Sequence, residues 1–119
     1  MNVELIGDGT KIPYKMGSKI LSLNNDELKL RLEDYQKDVA VFLDVFWTSE
    51  GVLQVGSGEA YAANVIIPPQ VSREVDTGTV DEDGKAIYEL VKDPLNLDDV
   101  TLKLWDIPNK YIKTIKEEV

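Results

Sequence analysis

Between Val39 and Trp47 the chain is apolar at every position but one. With a period of two, Val39, Val41, Leu43, Val45 and Trp47 share one face, and Ala40, Phe42, Asp44 and Phe46 share the other. A strand with one wet face alternates apolar and polar side chains, so this pattern predicts a strand covered on both sides, by a second sheet, a helix or another chain. Just upstream, Leu28, Leu30 and Leu32 alternate strictly with Lys29, Arg31 and Glu33. A helix capped by Asn25 would align Leu28, Leu32, Tyr35 and Val39 but strand Leu30 on the wrong side, so a strand over Leu28 to Glu33 is expected. With Tyr35-Gln36 as the loop, Leu32 opposes Val39, Leu30 opposes Val41 and Leu28 opposes Leu43, and such apolar pairs specify a register. The other face then sets Lys29, Arg31 and Glu33 beside Ala40, Phe42, Asp44 and Phe46.

Turn signals punctuate the rest: Gly7-Asp8-Gly9, Asn24-Asn25, Ser49-Glu50-Gly51, Gly56-Ser57-Gly58 and Asp83-Gly84. Val3 to Ile6 and Lys11 to Met16 flank Asp8-Gly9 as a hairpin would. Further strands are expected over Lys19 to Leu23, Ala60 to Ile67, Val71 to Val75, Ala86 to Lys92 and Val100 to Ile107. Pro68-Pro69 and Pro108 end two of them, since proline cannot donate to a ladder. In the last strand Val100, Leu102 and Leu104 share one face, with Trp105 and Ile107 on the other. Tyr111, Ile112, Ile115 and Val119 fall near one side of a short terminal helix that needs something to pack against. The rhythm predicts one all-β domain over 1–119, an antiparallel sandwich or barrel with a short C-terminal helical segment.

Composition narrows the chemistry. The 119 residues contain neither cysteine nor histidine. Disulfides, thiolate ligands and thiol nucleophiles are excluded, as are the usual neutral-pH acid–base residue and the commonest zinc ligand. Met1 to Ile6 is neither basic nor long enough for a secretory leader, and no apolar run reaches spanning length, so a soluble protein without a membrane role is expected. The formal charge is −9. It is concentrated in the middle, where residues 61–108 alone carry −6. Such a surface repels phosphates and argues against direct nucleic-acid binding. It either keeps a small domain soluble or imitates nucleic acid toward another protein.

No constellation of residues reads as a reaction centre. Aligning Gly84 with the glycine of a calcium loop places Asp81 and Asp83 at ligand positions, but Thr79 and Leu90 fall where carboxylates are required. Asp44, between Phe42 and Phe46, is the single most notable carboxyl, with Lys29 diagonally across as its expected partner. No second carboxylate is fixed beside it for acid–base work. Gly56-Ser57-Gly58 lacks the lysine and helix of a phosphate loop and any histidine to activate Ser57, and reads as a hairpin turn. The stripe Lys110, Lys113 and Lys116 is diluted by Glu117 and Glu118 and does not read as a membrane anchor.

Val65-Ile66-Ile67-Pro68 and Val100-Thr101-Leu102-Lys103-Leu104-Trp105 resemble segments of uncharacterised small acidic β proteins of phages and prophages of Gram-positive bacteria. The resemblance covers about the last half of the chain and implies a structural or accessory phage protein without assigning a role to any residue. Together these readings predict a non-enzymatic module with no cofactor or metal, located in the cytoplasm or in a phage-like particle. It would bind protein subunits, as a homo-oligomer or within a larger assembly. The expected interface residues are Phe42, Asp44, Phe46, Tyr111, Ile112 and Ile115. The alternative is an acidic inhibitor that mimics nucleic acid.

Overall fold

A computed structural model describes residues 1–112. The chain is mostly β, in three sheets. The largest contains β1 (Asn2–Ile6), β10 (Thr101–Trp105), β7 (Ala60–Ile67), β5 (Val41–Trp47) and β6 (Leu53–Val55), adjacent in that order. The second is β2 (Tyr14–Gly17), β3 (Ile20–Leu23) and β4 (Leu28–Arg31), and the third is the hairpin of β8 (Ser72–Val80) and β9 (Ala86–Lys92). No closed barrel forms among the described residues. Nor is the five-stranded sheet wholly antiparallel, because β1 runs parallel to β10, from Asn2 opposite Thr101 to Ile6 opposite Trp105.

The first two sheets share one core. Leu21, Leu23, Leu30 and Leu32 from one side meet Val45, Trp47, Ala63, Val65, Ile67, Leu102 and Leu104 from the other, all buried. The expected hairpin between Leu28–Glu33 and Val39–Trp47 does not exist, because β4 pairs with β3, with Leu30 opposite Leu21 and Leu28 opposite Leu23. Turn chemistry decides this. Asn24, Asn25 and Asp26 occupy left-handed backbone at φ 55°, 55° and 67°, which short polar side chains tolerate, and so fold β4 back onto β3. The strand stops at Arg31, and Leu32–Asp34 forms a 3₁₀ turn that drives Leu32 into the core. The chain then crosses to the other sheet, where β5 lies between β6 and β7.

The Gly7-Asp8-Gly9 segment does not make a hairpin either. It wraps the carboxylate of Asp106, which accepts from the Gly9 amide at 2.9 Å and from Lys11 Nζ at 2.5 Å. A Cβ on Gly7, whose φ is +85°, would collide with that carboxylate. The Lys11 ammonium holds the Asp106 carboxyl below its ordinary value of 3.8. A depressed folded-state pKa means that the contact stabilises the fold above that ordinary value, and the stabilisation is lost as pH falls through the lowered one. Asp106→Asn is therefore expected to melt earlier than the parent at neutral pH, and the two melting curves should converge in acid below about pH 4. A gap that persists unchanged at pH 2 would contradict this role.

The third sheet stands apart. Residues 72–92 contribute nothing to the buried core, and β8 and β9 pair only with each other. The Cα radius of gyration is 19.9 Å, against about 13–14 Å for a compact chain of this length, and the extents are 73 × 23 × 22 Å. The hairpin is thus an arm, its ladder about 23 Å long over the seven residues of β9, opposite which β8 bulges between Asp76 and Val80. Its root is clamped by Arg73 Nε to Asp93 at 3.1 Å and by the Asp93 amide donating to the Val71 carbonyl at 2.8 Å.

Candidate functional site

The outer side of the five-stranded sheet, opposite the core, carries the one extended aromatic surface among the described residues. Alternation along β5 sends Leu43, Val45 and Trp47 inward and Phe42, Asp44 and Phe46 outward. On β10, Leu102 and Leu104 turn inward, and Thr101, Lys103 and Trp105 turn outward. On β7 a bulge changes the phase. Phe46 pairs with Tyr61, whereas Val45 pairs with Ala63, so Ala62 is the extra residue and Tyr61 swings to the outer face.

Three rows result. Phe46 stacks on Tyr61 with ring centroids 4.8 Å apart, and Tyr61 stacks on Trp105 at 5.2 Å. Beside this ladder runs a polar row: Asp44 accepts from Asn64 Nδ2 at 2.8 Å, Asn64 Oδ1 accepts from Trp105 Nε1 at 2.6 Å, and Lys103 pairs with Glu4 at 3.7 Å. The third row is apolar, with Phe42 opposite Ile66 and Ile66 opposite Thr101. Phe42 is 67% exposed and Tyr61 42%. Asp44, Asn64 and Trp105 satisfy one another by hydrogen bonds, while the Lys103–Glu4 pair stays partly exposed on the same face.

Of the residues expected at an interface, the sheet brings Phe42, Asp44 and Phe46 together on this face. Tyr111 is elsewhere. Its ring stacks on Trp47 on the core side at 4.9 Å, its hydroxyl donates to the Thr48 carbonyl at 2.6 Å, and it is buried. Ile112 packs against the same core, and Ile115 lies outside the described residues. Residues 109–112 are helical, as the terminal pattern predicts, and they dock within their own chain. Lys110 Nζ binds Glu59 at 2.6 Å, which holds that carboxyl below and the ammonium above its usual value. Tyr61, Asn64, Ile66 and Trp105 complete the face and were not among the expected site residues. The alternation of Thr101, Lys103 and Trp105 with Leu102 and Leu104 signals part of it.

The other candidates resolve into structural roles. Asp44 binds Asn64, while Lys29, its expected partner, sits on β4 in the other sheet. Asp81 closes the arm's tip by accepting from the amides of Asp83 and Lys85, each at 2.9 Å. Gly56-Ser57-Gly58 is a crossover from β6 to β7 over the end of β5, not a hairpin turn. At Gly58 a Cβ would collide with Phe46 Cβ and stand 2.7 Å from the Trp47 carbonyl oxygen. Among the described residues no group of three or more carboxylates is placed to hold a metal ion, and no helix is long and apolar enough to cross a membrane. Comparison with models of known families, with curated proteins and with solved structures finds no match.

Proposed function

We propose that this protein is a non-enzymatic assembly module that binds other protein subunits through the outer face of its five-stranded sheet, as a structural or accessory component of a phage-like particle. The observation that carries the reading is the partly exposed aromatic row Phe46–Tyr61–Trp105, with exposed Phe42 and its neighbour Ile66 across the polar row from it. Exposed apolar surface marks interaction sites, and aromatic side chains are enriched in interface cores. We read the body as a two-layer sandwich in which the three-stranded sheet closes one side of the larger sheet and leaves the aromatic side for a partner. The carboxylates support this reading over nucleic-acid mimicry. They are distributed along the chain over the arm, the two 3₁₀ turns and the loops between them.

Full burial of one phenylalanine contributes roughly 1.5–3 kcal/mol, which corresponds to about 10- to 150-fold in an association constant. Phe42→Asp is therefore expected to weaken association by at least tenfold. Stability of the isolated chain should change by no more than about 0.5 kcal/mol, because Phe42 is mostly exposed. Sedimentation and thermal melting of parent and variant measure the two effects separately. A variant that assembles as the parent does, or that unfolds, would contradict the reading.

A further inference from the structure

We propose, resting on the assembly role above, that the partner is a second copy of this chain, whose basic three-stranded sheet receives the acidic tip of the first copy's arm. On the side of that sheet away from the core, the registers align Lys15, Ser22 and Lys29 in one row and Gly17, Ile20 and Arg31 in the next. Lys15, Lys29 and Arg31 are exposed, and Arg31 has no ion-pair partner among the described residues. One carboxylate, Asp26, borders this side. It accepts from Ser22 Oγ and lies 3.6 Å from Lys15. A groove of about 220 Å³ runs here between Lys15 and Lys29, with Ile20, Gly17 and Met16 in its wall together with Ser22 and the Asp26 carboxylate.

The arm carries the complementary pattern. Residues 72–92 hold six carboxylates against three cations, and Asp81, Glu82 and Asp83 are consecutive at the exposed tip. Directly behind them Val80 is 63% exposed, and on the same side of the ladder Tyr88 and Leu90 are 57% and 68% exposed. An acidic tip backed by an apolar stripe thus matches a groove whose cations Lys15, Lys29 and nearby Arg31 outnumber its one carboxylate and whose wall includes Ile20. The widths agree as well, since a two-stranded tip fits across a three-stranded sheet whose strands lie about 4.8 Å apart.

A lone two-stranded hairpin is at best marginally stable in water, so an arm of this length gains most by lying against another surface. The tip is carried away from its own body by the arm, whose ladder shifts register between Asp76 and Val80, so the receiving groove belongs to a neighbour. Arm and groove are different surfaces of one chain. The contact is head-to-tail, and repeated it gives a ring or a filament.

Reciprocal charge reversal tests this by sedimentation at low ionic strength. Glu82→Lys with Asp83→Lys, and separately Lys29→Glu with Arg31→Glu, should each lower the association constant at least tenfold. An equimolar mixture of the two variants should restore it, because each arm then meets a groove of opposite sign. Circular dichroism verifies that both variants fold. If either does not, Glu82→Cys mixed with Arg31→Cys replaces it, and a disulfide-linked pair is expected in a chain that otherwise has no cysteine. Folded variants that assemble like the parent, a mixture that stays dissociated, or no cross-link would overturn the proposal. If Phe42→Asp still disrupts assembly in that case, the assembly role stands and only this partner surface falls. A parent that is monomeric throughout overturns this proposal.

Discussion

Replacing Trp47 with alanine is expected to remove about 3–5 kcal/mol of stability, the usual result of emptying a buried aromatic site. The indole is 2% exposed and stacks on Tyr111, whose hydroxyl in turn holds the Thr48 carbonyl. The substitution therefore opens a cavity and also frees the start of the terminal helix. A chain of this size has roughly 6–18 kcal/mol in total, so at least about a sixth of the reserve is at stake. Phe42→Ala, five residues away on the same strand, should cost less than about 0.5 kcal/mol because that ring is already in water. Urea titration of the two variants checks the contrast. Equal midpoints would show that the two faces of β5 had been assigned the wrong way round.

That contrast also marks where the sequence stops being legible. Both faces of β5 are apolar, and period two separates them correctly, but composition cannot say which is buried by the chain itself. The answer depends on Leu21, Leu23, Leu30 and Leu32 arriving from the other sheet. Nearly every strand is visible in the alternation, including Ala60–Ile67 and Ala86–Lys92 to the residue; the three residues of β6 are too few to show a period. Pairing is less legible. Apolar matching alone favours Leu28–Leu43, yet Leu28–Leu23 is equally apolar, and three consecutive left-handed residues at 24–26 decide for the nearer strand. Tyr61 was hidden for a different reason. Strict alternation groups it with Ala63, Val65 and Ile67 on the core side, and only the bulge at Ala62 turns it outward to Phe46. The arm looks like two ordinary strands because its apolar positions resemble core positions, and nothing in Val80, Tyr88 or Leu90 by itself declares that no layer covers them.

Excising the arm is the second change with a large expected effect, and the effect should fall on assembly alone. The Asp93 amide donates to the Val71 carbonyl, so the two ends of residues 72–92 already sit side by side, and an Asn-Gly link can close them as a tight turn. None of the buried core residues lies in that span. The shortened chain is expected to melt within a few degrees of the parent and to keep its β-type circular dichroism. Head-to-tail association should vanish. A shortened chain that unfolds would mean that the arm belongs to the core, contrary to its exposure.

The claim on which the rest depends is that the outer aromatic face and the arm meet other protein surfaces. Sedimentation equilibrium of the unaltered protein over a wide concentration range tests it most directly. The account predicts a mass that rises with concentration above the 13.3 kDa of one chain. A mass that stays at 13.3 kDa up to the highest concentration at which the protein remains in solution would contradict self-assembly.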